Sequence, residues 1–78
     1  MVTPEQVRDY IAAGLACDHL EVSGDGAHFE AVIVAAAFSG KSRIQQHQLV
    51  YAALGERMRE EIHALSMKTF SPEQWTAR

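Results

Sequence analysis

The segment from Phe38 to Met58 constrains the fold most, because it joins a helix start to a long apolar repeat. Ser42 can cap a helix, since its hydroxyl can accept a hydrogen bond from an otherwise unpaired amide of the first turn. Residues that would share one helix face then recur at intervals of three or four: Ile44, His47, Val50, Tyr51, Leu54 and Met58. We expect a long helix that buries this face, with His47 where an apolar residue would be usual.

A hairpin pattern precedes this helix. Apolar and polar residues alternate from His19 to Ser23, Gly24-Asp25-Gly26 offers turn positions, and an apolar run extends from His28 to Ala35. This pattern predicts two antiparallel strands. The pattern leaves open whether the three alanines at 35–37 extend the second strand or begin a helix.

The remaining segments predict two more helices and one more strand. Thr3-Pro4-Glu5-Gln6 is typical of a capped helix start, and that helix should run to about Leu15. Alternation from Leu65 to Phe70 predicts a third strand, and Ser71-Pro72-Glu73-Gln74 repeats the cap pattern just before Trp75. The order predicts one α+β domain over residues 1–78, an αββαβ two-layer sandwich with a three-stranded mixed sheet, helices on one face and a short C-terminal helix.

The crossover from the second strand to the third predicts which residues meet. A strand, helix, strand unit normally makes its two strands parallel, so the third strand should begin at the hairpin-turn end of the sheet. His63 would then lie near the loop that carries Asp25 and His28. Two imidazoles and a carboxylate there are a candidate part of a metal site that a partner would complete. The plainer interpretation, that His63 and His28 are only exposed polar residues, stays open on spacing alone.

Charge and composition argue against general nucleic-acid binding, a membrane span and an internal disulfide. Ten acidic against seven basic side chains give a net charge of −3, which opposes general attraction to nucleic acid. No apolar run reaches the about 18 residues of a membrane span, and the N-terminus has no export pattern, so we expect a cytoplasmic protein. A single cysteine, Cys17, cannot form an internal disulfide.

Catalysis has little support in the sequence, and we expect a protein that is not an enzyme. Cys17 has no CxxC partner or adjacent base, which favours a packed residue over a reactive thiol. The string SGKS lacks the first glycine of a phosphate-binding loop. For His47 we expect a structural role, in which its ring donates to a nearby carbonyl and fixes packing.

Three stretches together resemble the BolA family, in particular its small bacterial members: DGAHFEAVIV, FSGKSRIQQHQLVYAALGERM and IHALSMKTFSPEQW. The resemblance runs from about Val7 to Trp75. The matching positions are Phe38, Gly40, Lys41, Arg43, His47, Val50-Tyr51, His63-Ala64 and Lys68-Thr69. It implies a fold similar to the class II KH domain, in agreement with the layer order predicted from the residues.

The resemblance also implies a partner. BolA-like proteins pair with monothiol glutaredoxins and share a [2Fe-2S] cluster, with a glutaredoxin cysteine and glutathione on one side and a C-terminal BolA histidine, matched by His63, on the other. The second ligand in other members is a cysteine or histidine of the hairpin loop, where His28 is the nearest candidate here. The expected states are a monomer without cofactor and a heterodimer with the cluster.

A rival function is DNA binding. The KH-like topology and the family's association with transcriptional control of morphology and stress imply phosphate contacts by Lys41, Arg43 and Lys68. Against it, Gly40 has no glycine three residues away to form the KH clamp, and the net charge is negative. An interaction module of neither kind is the third alternative.

Overall fold

The computed structural model describes residues 2–78, and its element order confirms the predicted α+β architecture. The helices are α1 (Pro4–Gly14), α2 (Arg43–Leu54), α3 (Glu56–Glu60) and α4 (Pro72–Ala77), and the strands are β1 (His19–Gly24), β2 (His28–Val34) and β3 (Ala64–Phe70). A single 3₁₀ turn, Ala36–Phe38, follows β2. The three alanines at 35–37 therefore do not extend β2, which ends at Val34, and the last two of them lie in the 3₁₀ turn.

The sheet has the order β1-β2-β3, with β1 and β2 antiparallel and β2 and β3 parallel. Phe29, Ala31 and Ile33 of β2 are buried under the helices, and their pairing partners on β1 and β3 lie on the same face. The alternate residues, such as Glu30 and Lys68, face outward and are exposed. The helices therefore cover one face of the sheet, as predicted.

Three capping boxes define where the helices begin. Thr3, Ser42 and Ser71 each accept a hydrogen bond from the amide three residues on, and a glutamine side chain at that position accepts from the cap amide in return. Each box satisfies two amides that the helix itself leaves unpaired. The cap positions read from the sequence are confirmed.

The long helix differs from its prediction in length and in its buried face. Gly55, with φ of 58°, ends α2 and separates it from the short α3. Ile44 and Tyr51 are 70% and 42% exposed, so the prediction that they are buried is wrong. Val50 and Leu54 are buried as predicted, and Gln46, which was not predicted to be buried, is the third buried position of α2. The apolar repeat gave the right period, but the face that packs on the sheet is rotated toward Gln46.

The two long helices approach each other closely at a glycine. A Cβ atom on Gly14 would lie 2.9 Å from the Cα and Cβ atoms of Ala53, a separation that real side chains do not adopt. The small residues therefore allow α1 and α2 to pack against each other over Val7, Ile11 and Val50. Among residues 2–78, no helix combines the length and the apolar character that crossing a bilayer requires.

Candidate functional site

The parallel return strand brings Asp25, His28 and His63 to one end of the sheet, which we call the histidine end. His28 pairs with Ala64 in the β2–β3 register, and His63 immediately precedes Ala64. Both histidines are exposed. His28 lies on the uncovered face of the sheet, opposite to its buried neighbour Phe29, and His63 lies in the bend between α3 and β3. The predicted proximity of His63 to the hairpin turn is confirmed.

Asp25 organises the hairpin turn beside these histidines. Its Oδ1 accepts hydrogen bonds from the backbone amides of Ala27 and His28, both at 2.9 Å. These bonds, first from His28 and then from Ala27, lower the pKa of the Asp25 carboxyl because they favour its charged form. The Asp25 carboxylate therefore fixes the start of β2, and with it the backbone of His28.

The donor set at the histidine end is incomplete. Residues 2–78 contain no group of three or more histidine, cysteine or acidic side chains arranged to hold a metal ion. Cys17 precedes β1, whose first residue pairs with Val34, so it lies at the opposite end of the sheet. Burial raises the pKa of its thiol, which disfavours the thiolate that ligates iron. The metal-binding side chains at the histidine end are therefore two imidazoles and a carboxylate, and any thiolate ligand would have to come from elsewhere.

The other end of the sheet is held by a buried amide. Gln46, only 2% exposed, shares the two N–H groups of its Nε2 among three acceptors at 3.1–3.2 Å, the carbonyls of Phe38 and Lys41 and Oε1 of Gln74. Its Oε1 accepts from the Thr69 hydroxyl at 2.7 Å. One side chain thus joins α2, the loop before it, β3 and α4. We call this group the glutamine network.

Gln46, and not His47, makes the structural hydrogen bonds expected on this helix. His47 is half-buried and forms no side-chain hydrogen bond within residues 2–78, so the expectation that its ring donates to a carbonyl is wrong. Sequence reasoning passed over Gln46 because a glutamine between His47 and Gln45 on a helix normally faces solvent. Gln46, Val50 and Leu54 are spaced four residues apart, and this spacing could have placed Gln46 on the buried face of the helix.

Trp75, on the predicted C-terminal helix, packs on the domain through a histidine that the sequence did not single out. The Trp75 ring stacks on His19 with centroids 4.9 Å apart and is tilted against Phe70 at 5.2 Å. The guanidinium of Arg78 lies 3.4 Å from its centroid. His19 Nε2 is also 2.6 Å from Oε2 of Glu21. These contacts attach α4 to β1 and β3.

The basic side chains divide into two groups. Within residues 2–78, Arg8, Arg57 and Arg59 each lie within 4.0 Å of a carboxylate, and Arg78 covers Trp75. Lys41, Arg43 and Lys68, the predicted nucleic-acid residues, form no ion pair in this part of the chain, and all three are exposed.

Arg43 and Lys68 border the same groove, which we call the basic groove. Its volume is about 400 Å³, and its lining is Arg43, His47, Met67, Lys68, Thr69 and Phe70. It runs between α2 and β3, with no acidic residue in its lining. Lys41 precedes α2 and does not line it. The structure therefore brings together two of the three predicted nucleic-acid residues, and it leaves them free to bind an anionic group.

Comparison with known proteins agrees with this fold. The family model described as BolA-like protein matches residues 11–74. Acid stress protein IbaG of Escherichia coli K12 is 35% identical over 71 residues, covering 90% of this chain and 84% of the relative. Protein BOLA2 of Arabidopsis thaliana is 45% identical over 80 residues, covering 96% and 85%. The DNA-binding transcriptional regulator BolA of Haemophilus influenzae is 40% identical over 60 residues, covering 77% and 58%.

Solved structures show the same likeness. A bolA protein homologue from Coxiella burnetii is 42% identical, with a TM-score of 0.84, covering 97% of this chain and 99% of the other. Yeast Fra2 is 32% identical, with a TM-score of 0.80, covering 96% and 85%. The relatives are named as a stress protein and a regulator and not as enzymes. Sequence, fold and family model agree, and this chain is a member of the BolA family.

Proposed function

We propose that this chain is the partner of a monothiol glutaredoxin, with which it shares a [2Fe-2S] cluster in iron-sulfur cluster trafficking or iron sensing in the cytoplasm. The observation that carries the proposal is the exposed His63 at the end of the sheet, next in register to His28 on a separate strand. Because the chain belongs to the BolA family, we expect a glutaredoxin partner. Because residues 2–78 hold no group of three metal-binding side chains, the remaining cluster ligands would have to come from that partner.

The proposed ligands are His63 and, as second candidate from this chain, His28. Asp25 is a positioning residue in the proposal, because both amides that its Oδ1 accepts from lie at the start of β2. Iron-sulfur clusters are held mainly by thiolates, which the glutaredoxin cysteine and glutathione would provide. Imidazole ligation raises a cluster's reduction potential, as it does in Rieske centres, and it eases release to a recipient.

The test is a titration of the purified chain into a reconstituted monothiol glutaredoxin that holds its cluster, followed by visible absorption and circular dichroism. We expect a changed spectrum that His63→Ala abolishes and that His28→Ala alters. The control is His47→Ala, which removes an imidazole of α2 that lies away from the histidine end and forms no side-chain hydrogen bond within residues 2–78. If the His63→Ala variant changes the spectrum as much as the unaltered chain does, His63 is not a cluster ligand.

The stability of the ligand variants is measured alongside. His63 and His28 are exposed and form no side-chain hydrogen bond within residues 2–78, so each alanine variant should change the free energy of unfolding by less than about 0.5 kcal/mol. Urea unfolding checks this value, and it separates loss of a ligand from loss of the fold.

DNA binding is the second candidate function. The exposed and unpaired Lys41, Arg43 and Lys68 favour it, and the Haemophilus relative carries a DNA-binding name. The net charge of −3 opposes it. Salt-sensitive retention of duplex DNA that falls with Lys41→Ala or Arg43→Ala, and that ignores His63→Ala, would support it.

A further inference from the structure

We propose that the basic groove docks an acidic, extended polypeptide segment as a fourth strand on the outer edge of β3. The inference is independent of the glutaredoxin proposal, because it concerns the side of the sheet along α2 and not the ligands at the histidine end.

The first observation is an open sheet edge. In the order β1-β2-β3, strand β3 pairs with β2 along all seven of its residues and has no strand on its other side. Within residues 2–78, the only loop backbone bond to β3 is the one that its last residue, Phe70, accepts from Ala35. Ala35 follows β2, so this bond lies on the inner side. The outer amides and carbonyls of β3 are therefore left for solvent or for another chain.

The second observation is the charge beside that edge. Arg43 and Lys68 have no carboxylate partner within residues 2–78, although the chain has more acidic than basic side chains. Lys68 also borders a recess on the uncovered face of the sheet that Glu21 and Glu30 line, but within residues 2–78 it forms no ion pair with either. Two cations without ion-pair partners in a chain of net charge −3 favour an anionic occupant of the groove. The acidic segment supplies the carboxylates that the chain itself does not place there.

The third observation is apolar surface next to the groove. Met67 and Phe70 contribute half-buried side chains to the lining. Ile44 and Tyr51, the only large apolar side chains found exposed in residues 2–78, lie three residues before and four residues after His47 on the same side of α2. A strand with acidic residues at alternate positions could place apolar residues between them against these side chains.

The open edge of β3 also distinguishes between two anionic partners, an acidic polypeptide and DNA. A strand edge presents donors and acceptors in alternation, and an extended polypeptide matches both. A nucleic-acid backbone offers phosphate acceptors but no backbone donors for the β3 carbonyls. The observations therefore favour an acidic peptide over DNA at this groove.

The test uses a seven-residue peptide of alternating glutamate and valine, with blocked termini, added to the ¹⁵N-labelled full chain. We expect shifts of the β3 amide signals and slower hydrogen exchange along β3. Lys68→Glu and Arg43→Glu should each weaken binding about fivefold, since both side chains are exposed and reversal replaces attraction with repulsion. The matched control, Arg8→Glu on α1, makes the same change of net charge and should leave binding unchanged.

Two N-methylated peptides test the backbone pairing itself. Because a strand bonds to its neighbour through alternate amides, methylation of one alternate set should abolish binding, and methylation of the other set should preserve it. Equal binding of both peptides, or equal binding of a lysine-valine peptide, would overturn the proposal. So would tighter retention of a DNA oligonucleotide than of the peptide, or a chain that closes this edge by dimerising in sedimentation.

Discussion

The two ends of the sheet are built in opposite ways. At one end, the glutamine network connects four segments through a single buried side chain, and Trp75 packs α4 over Phe70 and His19. At the histidine end, the Asp25 carboxylate accepts hydrogen bonds only from the Ala27 and His28 amides of its own turn. The long-range bond nearby, from the Tyr10 hydroxyl to Glu61 two residues before His63, is exposed and leaves both imidazoles out. The comparison shows that one buried side chain joins four segments at one end, whereas the imidazoles of His28 and His63 at the other end form no side-chain hydrogen bond within residues 2–78.

Removal of the glutamine network should have the largest effect on stability among the changes at the two ends. Gln46→Leu keeps the side-chain volume but leaves the Lys41 carbonyl and the Thr69 hydroxyl without their side-chain partner, whereas the Phe38 carbonyl keeps the Lys41 amide. We expect a loss of about 3 kcal/mol in the free energy of unfolding, measured in urea.

The control for this variant is Gln48→Leu, an exposed position two residues along α2, for which the change should stay within about 0.5 kcal/mol. If both variants lose the same stability, the contrast between the two ends is an effect of helix composition and not of the buried network. If Gln46→Leu remains folded, it should still give the spectral change with glutaredoxin that is proposed for the unaltered chain.

A smaller effect is expected at the cap of α4. Ser71 is 4% exposed, and its hydroxyl accepts from the Gln74 amide at 3.1 Å. Ser71→Ala removes this acceptor and should cost about 1 kcal/mol, with a lower thermal midpoint and altered Trp75 fluorescence. Ser66→Ala, at an exposed position of β3, is the control and should leave both readouts unchanged. Unchanged fluorescence in Ser71→Ala would mean that α4 is held by the Trp75 stack alone.

The smallest effect on stability should appear at the histidine end, where the free energy of unfolding should depend on pH through Asp25. The pKa of the folded Asp25 carboxyl is lowered from 3.8, first by the His28 amide and then by the Ala27 amide. The stability that comes from this carboxylate is therefore complete above pH 3.8 and is lost as the pH falls through the lower, folded pKa. Asp25→Asn keeps an acceptor oxygen without the charge, so its deficit relative to the unaltered chain should shrink below pH 3.8.

Asp25→Ala separates the two contributions, because it removes the acceptor oxygen as well as the charge. We expect it to be less stable than Asp25→Asn at every pH. Urea midpoints between pH 3 and pH 7 give the comparison. A deficit of Asp25→Asn that grows on acidification would contradict the assigned direction of the pKa change.

Local sequence signals were sufficient for the three strands, for the starts of α1, α2 and α4 and for their order, but not for the break at Gly55 that separates α3 or for the 3₁₀ turn. The three cap patterns at Thr3, Ser42 and Ser71 each begin a helix in the structure, because capping depends on residues three positions apart. The parallel return of β3 follows from the handedness and length of the crossover, and this return alone predicts that His63 lies near the hairpin turn.

Only the tertiary structure decided which face of α2 is buried and which basic side chains are free. An apolar repeat fixes a period but not the rotation of a helix on a sheet, and Gln46 is buried because partners from β3, α4 and the preceding loop meet it there. Likewise, the missing ion-pair partners of Arg43 and Lys68 and the open edge of β3 depend on segments far apart in the chain. Spacing in sequence determines contacts within one element, whereas contacts between elements depend on how the layers pack.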